Sequence, residues 1–286
     1  RAEFPLQWAD RGGPGTPAIS VDGLSASWPG SFPDGSHGSV LHHVSFTVPA
    51  GGRLTVVGPS GSGKSTLIAV LMGFLDYSGS VRVDGNEVRE SDPEDLRRRI
   101  GVLAQRTHIF DTTIEENVCL GRPVRGDEQV WQALHEAQLA TAIRAMPLGL
   151  RTNAGTFGNT LSGGEAQRLS IARLMITAPG ILLLDEPTEH LDAATAASVD
   201  DTLRRLTQGR TRVLVTHRVA SIDSGEQVIV LEGGRVTQFG TAAELCTRGG
   251  WLAAQADREA GQADLATLVA TLPVGRAVSN PWRALP

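Results

Sequence analysis

The sequence has no long apolar run: nowhere in its 286 residues does a hydrophobic stretch approach the roughly 18 residues that a membrane-spanning helix needs. No span is expected within this chain. Positive charge is not in excess either, since 26 Lys and Arg stand against 31 Asp and Glu for a formal net charge of −5. A nucleic-acid partner, which calls for a clustered basic face, is not expected. Cysteine is scarce, with only Cys119 and Cys246, far apart and outside any C-x-x-C pair. Reduced thiols are therefore expected, and neither a disulfide framework nor a redox motif. There is no internal repeat, no low-complexity tract and no signal-peptide layout near Arg1. Because the chain opens on Arg1 rather than Met, we expect a piece of a longer polypeptide. What remains is ordinary globular material, 41% hydrophobic and 20% charged, enough for one large α/β domain or two small ones.

Against that background Gly58 to Thr66 stands out, reading GPSGSGKST. Gly58 to Ser65 fits the P-loop pattern G-x-x-x-x-G-K-[ST], and its flanks are right: an apolar strand at Leu54 to Val57 and a helical stretch at Thr66 to Met72. Gly58, Gly61 and Gly63 allow a tight turn whose N–H groups point at a phosphate chain, while the following helix adds its positive N-terminal end. Lys64 supplies charge to the β- and γ-phosphates, and the Ser65 hydroxyl is placed to hold Mg²⁺. The whole run, Gly58, Pro59, Ser60, Gly61, Ser62, Gly63, Lys64, Ser65 and Thr66, is assigned to binding ATP.

A second phosphate-site element is ILLLDEPT at Ile181 to Thr188. Its apolar half is too short for a globular helix and reads as a buried central strand. Asp185 and Glu186 then lie at the C-terminal end of that strand, where ligands of open α/β sheets bind. Asp185 is the natural carboxylate for the magnesium shell, and Glu186 is placed to polarise the attacking water. The third element is LSGGE at Leu161 to Glu165, before an amphipathic stretch from Glu165 to Met175. Ser162, Gly163 and Gly164 form a second helix N-terminus suited to phosphate. One bound nucleotide needs only one such cradle. Two in one chain point to a head-to-tail pair, in which the second cradle of each subunit closes over the partner's nucleotide.

Further strands are expected from Ala18 towards Trp28 and at Val44 to Val48, Ser80 to Val83, Ile100 to Ala104, Val213 to Thr216 and Val228 to Leu231. With helices between them, they predict a mainly parallel sheet covered on both faces. Thr112 to Ala178 carries helical patterns and almost no strand signal. The Gly/Pro-rich run ADRGGPGTP reads as a linker and PGSFPDGSHGS as an exposed loop. WLAAQADREA after Thr247 predicts a short helix, while Gly261 to Pro286 has no clean period and receives no role. His42 and His43 are adjacent, lack metal-ligand spacing and read as a solvated strand edge.

These motifs together resemble the nucleotide-binding domain of an ABC transporter over about Ala18 to Thr247. The resemblance implies a P-loop NTPase core of RecA-like type with a mainly parallel sheet, an antiparallel β portion and an inserted helical subdomain. It places the linker at 1–17, the core at 18–104 and 179–247, the helical subdomain at 105–178, and a helix with an irregular tail at 248–286. It implies that Trp28 stacks on adenine, although Trp28 also reads as a strand-end core aromatic. Gln105 becomes the Q-loop glutamine, a catalytic and metal-site position beside Ser65 and Asp185. Glu165 closes the signature with Ser162 to Gly164, Glu186 is the catalytic glutamate, Leu191 and Asp192 lie in the D-loop, and His217 is the switch histidine.

Arg97 to Asn117, RRRIGVLAQRTHIFDTTIEEN, resembles the exporter branch, whose F-x-x-T-I-x-E-N meets the coupling helices of a membrane domain. DEPTEHLD at Asp185 to Asp192, with THIFDTT at Thr107 to Thr113, further resembles the CydC half of the bacterial CydDC exporter. That resemblance implies a CydD-type partner, export of thiols such as cysteine and glutathione, and a role in cytochrome bd assembly. It also implies a transmembrane domain in the same polypeptide and a place on the cytoplasmic face of the bacterial inner membrane. Two departures stand. Ala154 to Gly158 reads AGTFG, with Thr156 where many exporters carry Glu, and position 165 is Glu where Gln is commoner. The solute, and the choice between homodimer and heterodimer, stay open. The rival classes are a soluble ABC ATPase acting on DNA or translation, and an inactive ATP-holding module. The first lacks its coiled-coil insertion or second ATPase domain here, and Glu186 with His217 argues against the second.

Overall fold

The computed structural model describes residues 18–29, 40–120, 126–155, 160–189 and 191–271, with side chains as far as residue 261. The linker expected over 1–17, most of the loop over 29–39, Thr156, and the tail beyond Thr271 lie outside the described residues.

The strands are β1 (Ile19–Ala26), β2 (Leu41–Val48), β3 (Arg53–Val57), β4 (Tyr77–Val83), β5 (Asn86–Glu87), β6 (Ile100–Leu103), β7 (Ile181–Asp185), β8 (Thr211–Val215), β9 (Gln227–Glu232) and β10 (Arg235–Thr241). They make two sheets. The larger runs β10-β9-β3-β8-β7-β6 and is parallel from β9 to β6, with β10 added antiparallel on its edge. The smaller, β2-β1-β4-β5, is antiparallel.

Residue type explains the layering. In β7 alternate residues serve opposite faces: Ile181 and Leu183 join one core, Leu182 and Leu184 the other. A strand covered on both sides must be apolar at every position, which is why it shows no polar alternation. The first core locks the antiparallel sheet and helix α1 (Lys64–Leu71) against one face. On the other face lie α3 (Ile114–Cys119), α4 (Asp127–Glu136), α5 (Ala140–Ala145), α6 (Gly163–Thr177) and α7 (Ala193–Leu206), reached after α2 (Pro93–Arg99). A third cluster seats α8 (Ala242–Arg248) and α9 (Trp251–Thr271) against Val57, Val228 and Val230.

Helix starts are chemically marked. Asp92, Thr113, Ser162, Asp192 and Thr241 each accept backbone N–H groups of the first turn, a cap worth about 1 kcal/mol apiece. The expected strands are present with ends shifted by a few residues. Three elements differ from expectation. Helix α1 starts at Lys64, so the Lys64 and Ser65 side chains leave its first turn. The short helix expected after Thr247 runs 21 residues from Trp251 to Thr271. Strand β10 was not anticipated, because RVTQFGT buries only Gly240 among its seven residues.

Candidate functional site

The site forms where β3, β7 and β8 end. Between β3 and α1 the chain turns through three left-handed glycines, with φ +147° at Gly58, +75° at Gly61 and +100° at Gly63. Space also counts at two of them, decisively at Gly58, where the obstacle is backbone. A Cβ on Gly58 would lie 2.0 Å from the Leu231 carbonyl oxygen, and one on Gly63 would lie 2.5 Å from Leu41 Cδ2. The loop holds its lysine closely, because Lys64 Nζ donates to the carbonyls of Gly58 (2.9 Å) and Pro59 (2.8 Å). Burial lowers the Lys64 pKa, and the nearby Glu186 and Asp185 charges oppose that shift.

Asp185 ends β7. Burial raises its pKa, while the Lys64 charge and a hydrogen bond from the Ser65 hydroxyl pull it down. Glu186 follows in an unusual backbone state for a non-glycine residue, φ +46°, held by its N–H donating to Val215 O at 2.9 Å. Strain of this kind collects at functional sites, where the surrounding structure enforces it. Glu186 Oε2 lies 2.9 Å from His217 Nδ1 at the end of β8. Burial pushes the Glu186 carboxyl up; His217 opposes this and Glu189 reinforces it.

Glu189 has no role in the sequence reading. It accepts a hydrogen bond from Gln105 Nε2, and ligand atoms of Glu186, Glu189 and His217 lie within 4.8 Å of one another. The clue was a third carboxylate in the loop after a strand already ending in Asp-Glu.

Around these groups opens a cavity of roughly 490 Å³, lined by Trp28, Val40, Gly58, Ser60, Gly61, Gly63, Lys64, Ser65, Thr66, Gln105, Asp185, Glu186, Glu189 and His217. The structure thus gathers the P-loop, the strand-end acids, Gln105 and His217 in one place. Trp28 stands at the rim, 45% exposed, its Nε1 donating to Thr66 Oγ1 at 3.1 Å. Such exposure does not fit a core aromatic. Pro59 and Ser62 do not line the cavity, and buried Ser62 Oγ has no hydrogen-bond partner.

Ser162, Gly163, Gly164 and Glu165 do not line it either. They form the first turn of α6, where the Ser162 hydroxyl accepts from the Glu165 N–H while the Glu165 carboxylate accepts from the Ser162 N–H (2.8 Å) and hydroxyl (2.8 Å). Glu165 is thereby committed to a capping box.

Residues 41–189 match the ABC transporter family. The chain belongs to that family. Over 233 residues it is 40% identical to human ATP-binding cassette sub-family B member 6, covering 81% of this chain and 27% of that protein. Over 214 residues it is 42% identical to the β-(1→2)glucan export ATP-binding/permease protein NdvA of Bradyrhizobium diazoefficiens, covering 74% and 35%. A bacterial Atm1-family ABC exporter solved with ATP bound has the same fold, with a TM-score of 0.78, 33% identity, and 90% of this chain and 44% of that one covered. The chain spans less than half the length of these relatives. Its ATPase domain is similar to those of these exporters, and as an ABC ATPase domain it binds and hydrolyses ATP.

Proposed function

We propose that this ABC domain is the cytoplasmic motor of a membrane exporter, working as one of two nucleotide-binding domains in a head-to-tail dimer. One observation carries the reading. Of the two glycine-bearing helix starts assigned to phosphate from the sequence, that of α1 opens into the cavity and that of α6 does not line it. An α6 start that serves phosphate must then serve a partner's. Among the described residues no helix is long and apolar enough to cross a membrane, so the transmembrane domain belongs to another part of the assembly, by resemblance the same polypeptide. The location that follows is the cytoplasmic face of a bacterial inner membrane.

Within the cavity, Lys64 is placed to neutralise the β- and γ-phosphates and Glu186 to accept a proton from the attacking water. His217 holds the Glu186 carboxylate from the far side. Ser65 and Asp185, both lining the cavity, offer the hard oxygen donors that Mg²⁺ prefers. Gln105 is the third candidate ligand, with its amide turned to Glu189. Mg²⁺ supplies charge neutralisation on the β- and γ-oxygens.

The finer assignment is to a CydC-type subunit, paired with a CydD-type partner, exporting cysteine or glutathione in support of cytochrome bd assembly. It rests on the wording of Thr188 to Asp192 and Thr107 to Thr113. Full-length protein co-expressed with a CydD-type partner should show ATPase activity stimulated by these thiols and should move them out of the cytoplasm. Lys64→Ala should lower both. If a lipid, a glucan or a drug is moved and thiols are not, the motor stands and the CydC assignment falls.

A further inference from the structure

Helix α9 lies beyond the segment matched to the family, yet it touches the catalytic histidine loop. Its first turns are anchored by apolar packing: Leu252 is fully buried among Val57, Val228, Val230, Ala242 and Leu245, with Trp251 and Val219 packed on the same cluster. From Leu252 the same helix face continues through Gln255 and Glu259, three and seven residues on. Both reach the chain leaving β8. Gln255 Nε2 donates to the backbone carbonyl of His217 at 3.2 Å. The Glu259 carboxylate accepts from the backbone N–H groups of Val219 (2.8 Å) and Ala220 (3.0 Å). Those two N–H groups open the 3-10 turn Val219–Ser221, whose preceding residue Arg218 provides no side-chain cap. A side-chain bond between Gln255 and Glu259 at 3.4 Å joins the two contacts.

We propose that Gln255 and Glu259 are positioning residues that clamp the His217 loop, so that the C-terminal helix sets the imidazole's place beside Glu186. The inference rests on the functional reading of His217 given above. The clamp brackets the histidine: one bond fixes its own carbonyl, two fix the turn that follows it. Charge also favours the contact, because a carboxylate at the start of a helical turn faces the positive end of the aligned peptide dipoles. The geometry makes α9 a mechanical input to hydrolysis. Losing the Gln255 and Glu259 bonds would loosen the His217 loop while leaving the Leu252 contact with Val57, next to the P-loop, in place.

The test is steady-state ATP hydrolysis by the full-length transporter carrying Glu259→Ala, Gln255→Ala or both, each with its melting temperature. A misplaced catalytic group costs rate rather than affinity, so kcat should fall roughly tenfold in the double variant while KM for ATP stays within about twofold. Glu259→Gln keeps one carbonyl acceptor and should recover part of the loss. In a His217→Ala background the same changes should have no further effect, because they act through the histidine. Equal fold losses with and without His217, or a kcat unchanged from the parent, would overturn the clamp. If His217→Ala is itself harmless, the assignment of that histidine fails and the clamp fails with it. If His217→Ala abolishes turnover but the clamp variants are silent, only the clamp is lost.

Discussion

Glu186 Oε2 and His217 Nδ1 sit 2.9 Å apart although 31 residues separate them in sequence. Adjacent parallel strands bring them together. β7 and β8 pair in register from Ile181–Thr211 to Asp185–Val215, so the residues just past their ends share one rim, and the left-handed backbone of Glu186 sets its carboxylate beside the imidazole.

Replacing Glu186 by Gln should keep ATP binding and stall hydrolysis. The amide cannot accept the proton of the attacking water, a role that contributes typically 10²- to 10⁴-fold. Single-turnover hydrolysis alongside a nucleotide-binding titration measures both parts. Unchanged turnover in the full-length variant would assign the base to another residue.

Glu87 gives a stability prediction away from the site. Burial would raise its pKa, but hydrogen bonds from Ser80 Oγ (2.7 Å), the Val81 N–H (3.0 Å) and Tyr77 Oη (2.8 Å), with the Arg89 charge, hold it at about 2. A carboxylate depressed in the folded state stabilises above its unfolded pKa of 4.5. That contribution fades as pH falls towards 2. Glu87→Gln should therefore melt below the parent at pH 7, with the gap closing between pH 4.5 and 2. A gap that is constant across thermal melts in that range would place the effect in packing.

How far the sequence revealed these features depends on the range of the interaction. β7 and β8 were legible because a strand covered on both faces must be continuously apolar, and Lys64 was legible because its loop chemistry is local. β10 was not, since its exposed edge needs little hydrophobic signal. Glu189 escaped notice because its partner Gln105 lies 84 residues away. The length of α9 was under-read for a local reason: its last stretch, Gly261 to Thr271, opens on a glycine and has no clean apolar period.

Trp28 should contribute to nucleotide affinity without discriminating between bases. Stacking on an exposed aromatic is worth about 1–3 kcal/mol per base, so Trp28→Ala should weaken ATP and GTP alike by roughly ten- to a hundredfold. Because the indole is 45% exposed, its removal should leave the melting temperature nearly unchanged. Unaltered affinity with a lower melting temperature would instead make the indole's bond to Thr66 structural.

The isolated domain should be a poor ATPase whose specific activity rises with protein concentration. In one chain the cavity is bounded by the P-loop, the strand-end acids, Gln105 and His217, and Ser162 to Glu165 is not among its lining residues. In the proposed head-to-tail pair, further donors to the γ-phosphate, beyond Lys64 of the same chain, come from the α6 start of a second copy or of a related domain. Association is favoured only when nucleotide is present to join the two surfaces, a differential affinity of the closed pair for ATP. Sedimentation of the Glu186→Gln domain should accordingly show dimers with ATP and monomers without it, and Ser162→Arg should abolish the dimer while leaving ATP binding to the monomer intact. Constant specific activity from a species that sediments as a monomer would overturn the shared site.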